Sequence, residues 1–221
     1  MNNSGVTYGL AVVGGEGPEP AVCRYLAEKA DLVAAADSGL EAAEAAGIVP
    51  DLIVGDMDSL DDLKRLEKYP ADIIRRYSHD KDLTDTELAL ELLWEKGCNE
   101  VWIAGGGGGR LDHLLAVFYL FERKKCPRRW VTAFDNIYCL DGADSEIRMN
   151  VKADTVVSVL PLETGSRACS GGLKWPLDNI VWDRGSVGIS NRAPEGQFFV
   201  RTIAGRFLVM VPLLASKAGF I

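Results

Sequence analysis

Through residue 135 the chain alternates short apolar runs with helically spaced stretches, and each apolar run ends in glycine, aspartate or serine. The runs are YGLAVVGG, DLVAAADSG, DLIVGD, DIIRRYS and EVWIAGG. Between them, residues 20–30, 39–46, 60–68 and 84–96 place apolar side chains at helical intervals. A strand followed by a helix, repeated, predicts a parallel sheet with helices packed on it. Ligands of such sheets sit beyond the carboxyl ends of the strands. The aspartates and glycines of this chain gather at those ends.

After residue 137 the pattern changes. NIYCLDG, SEIRMN, TVVSVLPL, GGLKWPL, SVGISNR, GQFFVRTIA and RFLVMVPLL are short, β-rich and separated by glycine or charged turns. The expected architecture is an α/β parallel-sheet domain over residues 1–136 followed by an all-β domain, a small sandwich or barrel, over 137–221.

The formal net charge of −8 argues against nucleic acid or an anionic membrane as partner, because both call for a basic face. FLVMVPLLA near the carboxyl end is far short of the roughly 20 residues that span a bilayer. The amino terminus has no basic stretch leading into a long apolar core and does not read as a signal peptide. Five cysteines, odd in number and without a Cys-x-x-Cys pair, fit a reducing cytoplasm.

Three acidic or glycine-rich stretches carry chemistry. In LIVGDMDSL, Asp56 and Asp58 stand two residues apart at a strand end, and only one of two mutually repelling carboxylates can cap a following helix. That spacing suits Mg²⁺, which takes one or two carboxylates together with substrate phosphate. DKDLTD adds Asp80, Asp82 and Asp85, and TDTE at 84–87 is a capping box in which Thr84 and Glu87 serve each other's backbone N–H. Asp37, in AADSG, reads by itself first as a helix cap.

GGGGGRLDH, residues 105–113, is neither a Walker A loop nor a dinucleotide fingerprint. Consecutive glycines before a helix nevertheless expose backbone N–H groups to phosphate, and Arg110 adds a fixed cation. The helix after it carries Leu111, Leu114, Leu115, Phe118 and Phe121 on one face, with Asp112 in its first turn. An electropositive loop beside aspartates holds a polyphosphate only if divalent metal bridges them, so the chain reads as built for a Mg²⁺–nucleotide complex. With two histidines and no paired cysteines, a zinc site of the usual kind is not expected.

The ordered set DSG, GDMDS, DKDLTD, GGGGGRLDH, GLKWPL and GISN resembles the thiamine pyrophosphokinase family over nearly the whole chain. The resemblance implies a homodimer that transfers the pyrophosphoryl group of ATP to the hydroxyethyl oxygen of thiamine, giving thiamine diphosphate and AMP. Position by position it implies that Asp56, Asp58 and Asp85 bind Mg²⁺ with the ATP phosphates, with Asp37 nearby. Thr84, Gly107, Gly108, Gly109 and Arg110 would hold nucleotide, and Asp82 would support the acidic cluster. Lys81 and Asp112 would face the reacting end of thiamine, while Trp175, Ser190 and Asn191 fall at the thiamine-binding motifs, in a pocket shared across the dimer. Asp58, Asp85, Arg110 and Asp112 are the catalytic candidates, and Asp58 or Asp112 would take the hydroxyl proton. Arg192 stands where bacterial members commonly carry glutamate.

Two other readings stay open. LIVGDMDSL also resembles the Asp-x-Asp nucleophile motif of haloacid-dehalogenase-like phosphatases, which would form an aspartyl-phosphate. A non-catalytic thiamine or nucleotide sensor would bind without turnover.

Overall fold

Apolar strands joined by crossover segments pair in parallel, and the computed structural model, which describes residues 5–58, 63–80, 82–183 and 185–213, has such a sheet in its first half. Its strands are β1 (Tyr8–Val13), β2 (Leu32–Ala36), β3 (Leu52–Gly55), β4 (Ile74–Arg76), β5 (Glu100–Ala104) and β6 (Arg129–Val131). They lie in the order β6-β5-β1-β2-β3-β4, and every pairing is parallel. The chain steps outward from β1 to β4 and then returns to the other side of β1 as β5. The sheet therefore has a topological switch point between β1 and β5, where α/β sheets open a crevice for ligand.

The helices are α1 (Pro20–Lys29), α2 (Gly39–Ala45), α3 (Asp85–Glu95) and α4 (Leu111–Leu120). In α3, Thr84 accepts from the N–H of Glu87 and the Glu87 carboxylate accepts from the N–H of Thr84, so the expected capping box is present. The buried Leu90 and Leu93 of this helix each contribute roughly 2 kcal/mol of burial against the strands.

The chain divides into two units by its internal contacts. The first comprises Met1–Leu120 with Lys125–Ala133, and the second Phe121–Lys124 with Phe134–Ile221. In the second unit, β7 (Asp135–Asp141), β9 (Thr155–Pro161), β11 (Gly188–Ala193) and β13 (Arg206–Pro212) pair antiparallel in the order β11-β9-β13-β7. A second antiparallel sheet has the order β10-β12-β8, from β8 (Glu146–Asn150), β10 (Arg167–Gly171) and β12 (Gln197–Ala204). Val157, Val159, Phe207 and Val209 from the first sheet and Ala168, Phe198 and Val200 from the second share one core with Trp182. Two antiparallel sheets closing on one core make this the sandwich among the all-β architectures that the short β-rich runs imply. Arg206, almost fully buried, donates to Asp141 and to the carbonyls of Phe121 and Arg123, which ties the 121–124 segment to this unit.

Three local expectations are corrected, and one strand is found that the sequence did not suggest. The helix expected at 60–68 is a 3-10 segment at Leu63–Lys68, and residues 59–62 lie outside the described residues. That segment is fastened to α2, where Glu44 accepts from Arg65, Lys68 and Tyr69. The stretch GGLKWPL is irregular rather than strand, because β10 ends at its first residue, Gly171. Residues 129–131 form a strand too short to stand out by periodicity. Finally, α4 buries Val117 and Leu120, whereas Leu111 and Leu115 are 68% and 43% exposed. The helix turns its His113, Ala116, Val117 and Leu120 side toward the cavity described next, which leaves Leu111 and Leu115 outside, whereas Leu114 and Phe118 are half-buried and Phe121 is buried.

Candidate functional site

The sequence delivers acidic side chains to the carboxyl ends of β2 and β3 and to the first turn of α3, and the fold brings these three places together. Ligand-capable oxygens of Asp37, Asp56 and Asp85 lie within 4.8 Å of one another. A second overlapping group, Asp56, Asp58 and the His79 ring, meets the same distance limit. The cluster opens onto a cavity of about 660 Å³ at the switch point, whose walls also include Gly14, Asp82, Thr84 and the 106–110 loop. That volume suits a nucleotide-sized ligand.

Backbone geometry enforces the convergence. Asp37 has φ 45° and its N–H donates to the Val54 carbonyl, while its carboxylate accepts from the N–H of Met57, itself at φ 67°. Between them Gly55, at φ 143°, leaves the space that the Asp37 carboxylate occupies: a Cβ there would stand 1.9 Å from Asp37 Oδ1 and 3.2 Å from Asp85 Oδ1. Asp56 accepts from the N–H of Asp58 at 3.1 Å.

The electrostatics follow from crowding. Burial, then a shared hydrogen bond with Asp85 and the Asp85 and Asp56 charges, push the Asp37 carboxyl up to about 7 against the Met57 N–H, which lowers it. Hydrogen bonding with Asp56 raises the exposed Asp58, and His79, 3.6 Å away, opposes the shift. Three carboxylates this close stay ionised together only with positive charge among them, and an all-oxygen donor set is the kind Mg²⁺ takes. The residues present therefore fit a divalent cation bridging to phosphate.

On the facing wall, Arg110 donates to both oxygens of Asp112, at 3.2 and 2.6 Å, and this pairing holds the Asp112 carboxyl below the usual carboxylate range. Both side chains are largely exposed, so solvent screens the pair and it adds little to stability. Gly107, Gly108 and Gly109 line the same cavity.

Of the other expected site residues, Lys81 lies outside the described residues. Trp175, Ser190 and Asn191 belong to the second unit. There Trp175 is half exposed with the Lys174 ammonium 4.6 Å from its ring centroid, and the Asn191 side chain is hydrogen-bonded to the Trp175 backbone. Ser190, at φ 62°, sits in a register shift of β11 against β9 that keeps it exposed. The Arg192 guanidinium is engaged by Asp154 at 2.6 Å.

Sequence reasoning missed His79 as a neighbour of Asp58, and Gly14 and Gly15 as walls of the cavity. The signal for the glycines was available, since GGEG follows β1 as GGGGG follows β5.

Residues 23–131 match the family profile of the thiamin pyrophosphokinase catalytic domain. A thiamine pyrophosphokinase of Bacillus subtilis is 29% identical over 148 residues, 64% of this chain and 68% of that protein. Among solved structures, a thiamine pyrophosphokinase from Bacillus subtilis superposes with a TM-score of 0.74 at 24% identity, covering 93% of this chain and 98% of that one. Thiamin pyrophosphokinase from Candida albicans gives 0.71 at 18% identity, covering 96% and 95%. At these identities the structural matches speak to the fold.

Proposed function

The chain belongs to the thiamin pyrophosphokinase family, and from that premise we propose that it transfers the pyrophosphoryl group of ATP to the hydroxyethyl oxygen of thiamine at the acidic crevice of its first unit. The observation that carries the placement is the convergence of Asp37, Asp56 and Asp85 within 4.8 Å beside the glycine loop. In this reading Asp56, Asp58 and Asp85 hold magnesium with Asp37 beside them. The metal, when bound, supplies the positive charge that lets carboxylates and triphosphate share one cavity.

The chain's own residues do the rest. Gly107, Gly108 and Gly109 allow the phosphates to approach the backbone, and Arg110, held in place by Asp112, offers its cation to the transferring group. Thr84 fixes the start of α3 and so the place of Asp85, and Asp82 extends the acidic wall. The thiamine hydroxyl oxygen bonds to the β-phosphorus as the bond from that phosphorus to the α,β-bridging oxygen breaks and AMP leaves with the electron pair. Asp112 is occupied by Arg110 at both oxygens, which makes Asp58 the better-placed carboxylate to take the hydroxyl proton. Most of the acceleration comes from alignment.

Trp175, Ser190 and Asn191 are assigned to thiamine, whose cationic ring suits an aromatic wall. We take the working form to be a homodimer in a reducing cytoplasm; the five cysteines are all free thiols, four of them buried. No helix among the described residues is long and apolar enough to cross a membrane.

The test is a chromatographic assay of the purified chain with ATP, Mg²⁺ and thiamine. Equal formation of AMP and thiamine diphosphate, dependent on both metal and thiamine, is expected. ADP or free phosphate without thiamine diphosphate would overturn the assignment.

A further inference from the structure

The glycine run after β5 is not a loose loop. The N–H of Gly105 donates to the Val131 carbonyl at 3.0 Å, that of Gly106 to Gly14 at 2.8 Å, and that of Gly107 to Glu16 at 3.1 Å. The Gly107 carbonyl accepts from the N–H of Glu16 at 2.7 Å. The Gly105 carbonyl accepts from the buried indole Nε1–H of Trp130 at 2.7 Å. Three successive backbone amides are thus committed inside the protein, and the peptide joining Gly105 to Gly106 is held at both ends, by Trp130 on one side and Gly14 on the other. Glycine is required for this packing, because a Cβ on Gly105, at φ 108°, would stand 2.2 Å from the Val13 carbonyl oxygen.

We infer that Trp130 is a positioning residue for nucleotide: its indole N–H sets the Gly105–Gly106 peptide so that the following turn, Gly108 and Gly109 at φ 59° and 62°, presents a fixed backbone surface beside Arg110. The inference rests on the cavity being the ATP site, as proposed above. A Phe at position 130 keeps an aromatic ring but leaves the Gly105 carbonyl without this donor in a buried place, so that the Gly105–Gly106 peptide is held from the Gly14 side alone and its orientation loosens.

The test compares Trp130→Phe with the wild-type chain in steady state. A rise of about tenfold in KM for ATP, with kcat and KM for thiamine unchanged, is expected from one lost positioning hydrogen bond. A variant that is merely less stable loses active enzyme and lowers the apparent kcat without moving KM. Trp182→Phe supplies that comparison, since Trp182 is equally buried and its Nε1 has no hydrogen-bond partner among the described residues. An unchanged ATP KM in folded Trp130→Phe overturns the inference. Should that variant not fold, hydrogen exchange of the wild-type chain decides: slow Gly106 and Gly107 amides support the clamp, and fast ones refute it. Calorimetric binding of α,β-methylene-ATP with Mg²⁺ separates this inference from the wider reading. If the wild type forms no thiamine diphosphate but binds the analogue about tenfold more tightly than Trp130→Phe, the inference stands and the reaction assignment falls. Equal binding by the two proteins, or none by the wild type, sinks the inference itself.

Discussion

The Asn191 side chain grips both backbone groups of Trp175, accepting from its N–H at 3.1 Å and donating to its carbonyl at 2.7 Å. Asn191 is buried on β11 while Trp175 lies in an irregular turn with its ring half exposed, so this pair fixes a segment that no sheet ladder holds. Replacing Asn191 by alanine removes both hydrogen bonds to Trp175, each contributing roughly 1 kcal/mol, and a third that its Oδ1 accepts from the Arg192 N–H. Asn191→Ala is expected to raise KM for thiamine by tenfold or more, on the order set by that energy, and to leave KM for ATP unchanged. Kinetics varied in each substrate separately will show it.

Gly55 makes the acidic cluster possible. A methyl group there collides with the Asp37 carboxylate, and the φ of 143° is closed to other residues. Gly55→Ala is expected to lose activity and to destabilise the fold by about 1–3 kcal/mol. A melt together with the product assay checks both; an active, equally stable variant would mean that Asp37 has room to move without consequence.

The legible part of this chain was the part with short-range chemical signatures. Alternating strand and helix patterns predicted the parallel sheet, and acidic stretches at one edge of it pointed to Asp56, Asp58 and Asp85, of which Asp56 and Asp85 lie together with Asp37. The glycine run was half legible. Its place between a strand and a helix could be read, but sequence cannot say which of its amides are spent on Gly14, Glu16 and Val131. The Trp130 indole was invisible for the same reason, since its partner carbonyl is 25 residues earlier in the chain. The α4 pattern misled because its apolar residues cover more than one face, and only the location of the cavity decides which face turns inward.

Asp37 gives a pH dependence with a definite sign. The folded chain keeps this proton up to about 7, whereas the unfolded chain releases it near the ordinary 3.8. Between those values the folded state binds more protons, so in chelator its stability falls as pH rises from about 4 to about 7. Asp37→Asn should flatten that decline, and added Mg²⁺ should oppose it by preferring the ionised cluster. Melts recorded across this range with and without metal test the sign; a wild-type decline that Asp37→Asn leaves intact would assign the linkage to another group.

Arg192 is the residue at which the chain departs from the familiar motif, and its guanidinium is engaged by the Asp154 carboxylate rather than left as a lone cation. The pair is solvent-exposed, so its loss costs under about 1 kcal/mol. Arg192→Gln is expected to lower Tm slightly and leave KM for thiamine unchanged, as the neighbouring Asn191 still holds Trp175. A large rise in that KM would mean that the arginine itself reaches the ligand.

Asp58 and Asp112 separate cleanly as bases. Asp112 is held by Arg110 at both oxygens, whereas Asp58 shares its proton affinity with Asp56 and faces His79 at 3.6 Å. Asp58→Asn removes a carboxylate that can accept a proton and also one proposed oxygen ligand, so turnover is expected to fall by 100-fold or more, on the order of the loss seen for general bases. Asp112→Asn keeps the shape beside Arg110 while freeing the guanidinium from an anionic partner, so its effect should be a change in KM for ATP with much of kcat retained. Single-turnover rates at saturating Mg²⁺ distinguish the two cases. Near-normal chemistry in Asp58→Asn together with a collapse in Asp112→Asn would reverse the assignment.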